Sequence, residues 1–309
     1  MDIVSQVEKH PRPGETVKGK DFSYIPGGKG SNQAISAHRL GGDVLMIGKV
    51  GQDAFGKILL QFFKNEGINT SSIAVSEKIT TGTAFVAVDK SSENIIYVSG
   101  GANDNLMPTE IKHIKIDQGD IVSATLETPI KVTKEIFSKA RKIGAKTILN
   151  AAPAILNAET LFPFVDYLIV NETELSVFAQ TEIPKTREEV IGAMKKLQKK
   201  IKNIIATLGS KGAIALTDKG TITVDGHKVK AIDATAAGDC FVGAFTVALQ
   251  NDKIIKDAMD FANTVAAISV QRLGASLSLP TINEVENFLF SLTSKHLSNN
   301  VKNASARKC

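Results

Sequence analysis

The 309 residues include 43% hydrophobic side chains and carry a formal net charge of +5, an ordinary globular composition in a chain long enough to bury a large core. Lys295, Lys302, Arg307 and Lys308 crowd the last residues, and removing those four from +5 leaves +1 for the body, too little to suggest a basic face for nucleic acid. Two cysteines, Cys240 and Cys309, exclude a disulfide framework; with no signal-peptide pattern and no run of membrane-spanning length, the expectation is a cytoplasmic protein with no membrane partner.

Met1 to Val7 and Val17 to Tyr24 alternate apolar and polar residues and read as strands around the turn Pro11-Arg12-Pro13-Gly14-Glu15-Thr16. Gly14 to Asp21 nearly spells a phosphate-binding P-loop, but Asp21 stands where a Ser or Thr is required and no helix follows. A Gly-rich stretch, Pro26-Gly27-Gly28-Lys29-Gly30-Ser31-Asn32-Gln33-Ala34, then opens a helix to Leu40 that Gly41-Gly42 stop. Its glycines let backbone approach a ligand, and Lys29 and Asn32 supply side-chain donors. Asn both donates and accepts, which suits a hydroxylated ligand; the plain alternative is a loop that only turns the chain.

Strands at Asp43–Val50 and Ser72–Val75 flank a helix at Phe55–Gly67. Thr80–Val88 and Asn94–Val98 alternate like the opening pair, so the four strands are grouped as a small flap sheet drawn from about 1–25 and 80–98. From there strands and helices alternate. Strands are expected at Ile121–Leu126, Lys146–Asn150, Val165–Val170, Ile204–Leu208, Ala213–Leu216 and Thr221–Val224, and helices at Val132–Ile143, Thr173–Ala179 and Arg187–Lys200. Lys228–Ile232 reads as another strand, and Ile254–Val270 and Ile282–Leu292 as helices. This rhythm predicts an α/β fold, a doubly wound, mostly parallel sheet with helices on both faces, formed by residues 1–292 as one domain and followed by a basic, disordered tail at 293–309. Ligands in such sheets bind beyond the carboxyl ends of strands. Glu127, Asn150, Asn171, Glu174, Gly209 and Asp233 all fall at such ends.

Asp233-Ala234-Thr235-Ala236-Ala237-Gly238-Asp239 carries the clearest chemistry. An apolar helix follows it, so the N–H groups of Ala236, Ala237 and Gly238 lie uncovered at a helix N-terminus, where anions are favoured. Asp239 sits beside them in the first turn. A group transfer needs a base on the acceptor hydroxyl and donors on the migrating phosphoryl group, and this turn can supply both. Taken alone, it also reads as nothing more than a helix with an acidic first turn.

Together with Pro13-Gly14-Glu15-Thr16, Gly101-Ala102-Asn103, Asn171-Glu172-Thr173-Glu174 and Thr207-Leu208-Gly209-Ser210-Lys211-Gly212, the loop from Gly28 to Ala34 and the turn from Asp233 to Asp239 resemble, in order, the motifs of the ribokinase family of sugar and nucleoside kinases. The resemblance covers Asp2 to about Leu292. It implies ATP-dependent phosphorylation of D-ribose at the 5-hydroxyl, with Asp239 as base and the N–H groups of Ala236, Ala237 and Gly238 on the γ-phosphoryl. It implies sugar contacts from Asp2, Gly28, Lys29, Gly30, Ser31, Asn32, Glu127 and Asp239. It implies a nucleotide site from Asn171, Thr207, Leu208, Gly209, Ser210, Lys211, Gly212, Gly238, Asp239 and Asn263, with Glu174 linked to Mg2+ and phosphate. It further implies a K+ site around Asp233, Thr235, Ser269, Arg272, Gly274 and Ser278, and a homodimer formed through the flap sheet. A kinase for another sugar or a nucleoside, and a non-catalytic sugar- or nucleotide-binding paralogue, are the alternatives. The combination of Asp2, Lys29, Asn32 and Glu127 favours a small polyhydroxy sugar over a nucleoside. Two departures stand out. Asn150-Ala151-Ala152-Pro153 lacks the first proline of the family's Asn-Pro-Ala-Pro, and the family's first strand, which ends in a sugar-contacting Asn, has no counterpart ahead of Asp2. A truncated gene model and a defective paralogue are the two explanations, and either implies an interrupted sheet with lower stability and weaker sugar binding.

Overall fold

The computed structural model describes residues 1–91 and 93–291. An antiparallel pair, β1 (Asp2–Val7) and β2 (Gly19–Ile25), leads into α1 (Lys29–Arg39). β3 (Leu45–Gly51), α2 (Ala54–Asn65) and β4 (Asn69–Ser76) form a βαβ unit with parallel strands. Asp53 starts α2 by accepting from the Gly56 N–H at 2.8 Å, the usual way a short acceptor satisfies an orphan donor of a first turn. β5 (Thr83–Val88) pairs in parallel with β1 and antiparallel with β6 (Asn94–Ser99), giving a four-stranded flap in the order β2-β1-β5-β6.

After the single turn α3 (Gly101–Asp104) come β7 (Ile121–Ala124), α4 (Ile130–Lys142), β8 (Lys146–Asn150), β9 (Tyr167–Asn171), α5 (Glu172–Ala179), α6 (Arg187–Leu197), β10 (Asn203–Thr207), β11 (Ala213–Thr217) and β12 (Gly220–Val224). α7 (Ala237–Gln250), α8 (Ile255–Ser269) and a helix α9 over residues 282–291 complete the described chain. β7 to β10 run parallel, and β11 and β12 extend them antiparallel, in the order β12-β11-β10-β9-β8-β7. Strands buried on both faces need helices on both faces, and the alternation along β9 shows how this is met. Ile169 joins Ile35, Phe241, Phe245 and Val265, from α1, α7 and α8. Leu168 and Val170 join Phe137, Leu175, Phe178 and Met194, from α4, α5 and α6. The chain has the doubly wound α/β fold its sequence predicts.

Two features depart from a simple reading of the periodicity. Residues 228–232 form no strand despite their alternation. Ile232 is exposed, and its N–H, like that of Asp233, bonds to the Val270 carbonyl. Among the described residues the segment pairs with no strand, and the Val270 carbonyl at the end of α8 holds its last residue instead. Secondly, the parallel sheet is divided. Among the described residues β3 pairs only with β4, and β7 only with β8. Asn103 spans the break, accepting from the Lys49 N–H of β3 at 3.2 Å and donating to the Glu127 carbonyl just beyond β7 at 2.8 Å. The tail at 293–309 lies outside the described residues, as does Leu292.

Candidate active site

Asp239 occupies the first turn of α7 and is 6% exposed. The residue before the helix, Ala236, sits in the left-handed region at φ 62, a conformation that costs a residue with a Cβ about 1 kcal/mol or more and that is retained where a site demands it. That kink turns the N–H groups of Ala236 and Gly238 away from helical partners. The N–H of Ala237 is not uncovered as the sequence suggests, because it reaches the Ala234 carbonyl at 3.2 Å. Of the three N–H groups, those of Ala236 and Gly238 therefore stay open.

α1 lies against α7 closely enough that a Cβ on Gly243 would fall 2.6 Å from the Ser36 Cβ and 2.7 Å from the Gln33 carbonyl. Only glycine permits that approach. It brings two amides onto Asp239: Asn32 Nδ2 donates to Oδ2 and Gln33 Nε2 to Oδ1, both at 3.1 Å. Asn32 Oδ1 and the Ser31 hydroxyl are buried there without a protein partner, an exception among buried polar atoms that marks this spot out. From the other side, Glu127 accepts the Lys29 N–H at 2.7 Å. Asp2 enters from β1, and its carboxylate occupies the space a Cβ on Gly27 would need, at 2.1 Å. Asp2, the 27–32 loop, Glu127 and Asp239 are thus brought together.

The carboxylates share one electrostatic environment. Burial pushes the Asp239 carboxyl above the usual range, against the Lys29 charge and the hydrogen bonds from Asn32 and Gln33. Burial, and then the neighbouring Asp239, raises Glu127 against its bonds to the loop. Burial also raises Glu174, opposed by the Asn171 N–H and Lys29. Proximity of like charges and loss of water act in the same direction here.

Further along the carboxyl ends of the sheet, Asn171 and Glu174 cap α5 reciprocally, each side chain accepting the other's N–H at 2.8 Å. The turn Gly209–Lys211 follows β10, with the Leu208 N–H bonded to the Gly212 carbonyl at 2.8 Å. The 225–227 segment packs on this turn, since a Cβ on Gly226 would strike the Ser210 carbonyl at 2.3 Å. On its other side it meets α8, where Asn263 donates to the Asp225 carbonyl at 3.4 Å and His227 contacts Thr264 at 3.0 Å. Thr207 turns its hydroxyl to the Val170 carbonyl at 3.4 Å. A second loop pair lies behind the Ala236 turn. Asp233 accepts from the N–H groups of Thr235, at 2.8 Å, and Gly274, at 3.0 Å, and Ser269 and Ser278 share a hydroxyl contact of 2.8 Å. Arg272 faces away, paired with Glu284 at 2.7 Å.

Sequence reasoning gives no role to Gln33 and only a strand-end position to Asn150. The one signal available for Gln33 was a long polar side chain beside Asn32 on a helix otherwise made to be buried.

A buried carboxylate at the start of α7, on a doubly wound sheet with further polar residues along its strand ends, is an arrangement suited to phosphoryl transfer. The pfkB family carbohydrate kinase profile matches residues 1–282, and the chain belongs to that family: it is an ATP-dependent carbohydrate kinase. It is 38% identical over 290 residues to a ribokinase of Haemophilus influenzae, covering 93% of this chain and 95% of that one. It superposes on the crystal structure of a ribokinase from Thermotoga maritima with a TM-score of 0.82 at 35% identity, covering 93% and 95% of the two chains. An Arabidopsis thaliana ribokinase, solved in complex with ribose and ATP, gives a TM-score of 0.85 at 28% identity with the same coverage.

Proposed function

We propose that the chain transfers the γ-phosphoryl group of ATP to the 5-hydroxyl of D-ribose. The observation that carries this reading is the buried Asp239 carboxylate, held beside the open N–H groups of Ala236 and Gly238 and next to the unpartnered Asn32 Oδ1. The relatives' names and the ribose and ATP bound to the Arabidopsis neighbour support the substrate pair. The 5-hydroxyl oxygen forms a bond to the γ-phosphorus as the bond from that phosphorus to the bridging oxygen breaks. Asp239 takes the hydroxyl proton, ADP leaves, and the proton passes to solvent. The two N–H groups and the helix terminus stabilise charge on the transferring group. Asp2, Gly28, Lys29, Gly30, Ser31, Asn32 and Glu127 hold the sugar; Asn171, residues 207–212 and Asn263 hold the nucleotide.

Among the described residues no three His, Cys, Asp or Glu side chains gather into a metal-binding cluster. That suits a magnesium ion that arrives on the nucleotide's phosphates, for which Glu174 is the assigned carboxylate. Bound magnesium neutralises phosphate charge. The loops 233–235 and 269–278, joined through Asp233 and the Val270 carbonyl, offer backbone oxygens rather than clustered carboxylates, which suits potassium. The flap exposes Phe22, Phe85 and Tyr97 along one face and Ile96 and Val98 along the other. One face over the sugar and the other against a second copy accounts for both, and we infer a homodimer. Among the described residues no helix is long and apolar enough to cross a membrane, and an ATP-dependent kinase of sugars is assigned to the cytoplasm.

A coupled ADP-release assay over a panel of pentoses and hexoses, with 31P NMR of the product, tests the reading. Ribose should give the highest kcat/KM and ribose 5-phosphate the only product. A preference for another sugar overturns the substrate, and ADP release independent of any sugar overturns the assignment.

A further inference from the structure

Gln33 lies in α1, 6% exposed, and spends both hydrogens of its amide: Nε2 donates to Asp239 Oδ1 at 3.1 Å and to Asn150 Oδ1 at 3.0 Å. Asn150, at the end of β8 and 8% exposed, donates its own Nδ2 to the Ile169 carbonyl of β9 at 3.2 Å. A backbone carbonyl in the sheet therefore sets the orientation of the Asn150 amide. Its oxygen must face Gln33, which in turn fixes which end of the Gln33 amide faces the base. A flipped Gln33 would press its oxygen against Asp239 Oδ1 and Asn150 Oδ1 together, in a buried site where neither clash can be relieved by water. Asn32 contrasts with this. It touches the other carboxylate oxygen, Oδ2, through its Nδ2, and its Oδ1 has no protein partner, so that oxygen is open to a donor on a ligand.

We propose that Gln33, oriented through Asn150 by the Ile169 carbonyl, is a positioning residue that locks Oδ1 of Asp239 and leaves Oδ2 as the oxygen that takes the proton. The inference rests on Asp239 being the base. Other groups act on the same carboxylate: Lys29 and Asn32 from α1, Glu127 beyond β7, Glu174 on α5 and the adjacent Cys240. All of them are common to wild type and variant, so the difference between two pH profiles isolates the amide.

The test is steady-state kinetics against pH for Gln33→Met, which keeps the volume and removes both donors, beside Asn150→Ser, which frees the Gln33 amide to flip. A hydrogen bond to a buried charge is worth roughly ten- to a hundredfold. Gln33→Met should lower kcat by about that factor, leave KM for ATP within about twofold, and move the acid limb of kcat to higher pH, because the charged carboxylate has lost a donor. Asn150→Ser should move the limb the same way by less. An unmoved acid limb with kcat within twofold in Gln33→Met overturns the inference. If Gln33→Met does not fold, an unmoved limb in Asn150→Ser overturns it alone. Asp239→Asn, run in parallel, separates the two readings: near-normal turnover there removes the base itself, whereas an inactive Asp239→Asn with an indifferent Gln33→Met removes only the positioning role.

Discussion

Asp233 and Asp239 stand at the two ends of one seven-residue turn and sit in opposite environments. Asp239 is buried among side-chain amides, and burial raises its carboxyl despite them. Asp233 is partly open to water. Burial would raise it too, but hydrogen bonds from the Thr235 hydroxyl and N–H and from the Gly274 N–H together outweigh that and hold it low. Around Asp233 the donors prevail over burial and fix the geometry of two loops; around Asp239 burial prevails over the side-chain donors and leaves a carboxylate that accepts a proton more readily. A raised carboxylate pKa moves toward the pH at which a general base works best, and a lowered one moves away from it. Environment, not residue type, therefore separates the two aspartates, and the proposed reading makes Asp239 the base.

The sharpest way to break this contrast is to remove each carboxylate in turn and follow turnover. Asp239→Asn should cost roughly 10²–10⁴-fold in kcat while ribose and ATP still bind, as read by calorimetry and single-turnover assays. Retention of kcat within threefold would make Asp239 no more chemical than Asp233. Asn32→Ala removes the donor to Oδ2 and the orphaned acceptor, and should raise KM for ribose by about ten- to a hundredfold with little change for ATP. Equal effects on both substrates would mean that the amide serves only the protein. Replacing potassium by lithium probes the Asp233 side and should lower activity several-fold, since a smaller, more tightly hydrated cation fits a carbonyl-lined loop poorly. A flat titration would leave Asp233 with its loop-fixing role alone.

Much of this was legible in the sequence, for identifiable reasons. Strands such as Ile148-Leu149 and Ile169-Val170 are apolar on both faces, and that pattern has few outcomes other than a parallel sheet between helices. Glycine-rich loops at strand ends and an acid in a first helical turn also have local causes that local reading captures. What escaped needs two distant segments at once. Residues 228–232 alternate convincingly, but whether a strand forms depends on a free sheet edge, which the sequence does not display. The Ala237 N–H looked open because its partner, the Ala234 carbonyl, depends on the left-handed Ala236. Gln33 meets Asn150 and Asp239 across separations of 117 and 206 residues, and no spacing rule reaches that far. The division of the sheet between β3 and β7 is likewise marked by no pattern within either strand.

The smallest effect is the most discriminating, because its sign differs between the two aspartates. Asp239 has a folded-state pKa above its unfolded value, so above both values the native state holds a charge it would rather not hold. Its contribution is unfavourable at neutral pH and disappears as pH falls below the unfolded pKa. Asp233 is the reverse, contributing stability above its unfolded pKa that is lost as pH falls through the folded one. Asp239→Asn also has a partner waiting, since a rotated Asn32 amide can turn its unpartnered Oδ1 to the new donor. At pH 7, Asp239→Asn should therefore melt at or above the wild-type temperature. Asp233→Asn should melt lower, by a few degrees: one charge-assisted bond, discounted for partial exposure, is about 1 kcal/mol. Toward pH 4 the Asp239→Asn advantage should shrink, because the cost of its charge fades as pH falls toward the unfolded pKa, whereas the Asp233→Asn deficit should persist, being lost only below that value. Differential scanning calorimetry at the two pH values measures this directly, and a fall in Tm for both variants at pH 7 would show that Asp239, too, is held for stability rather than for chemistry.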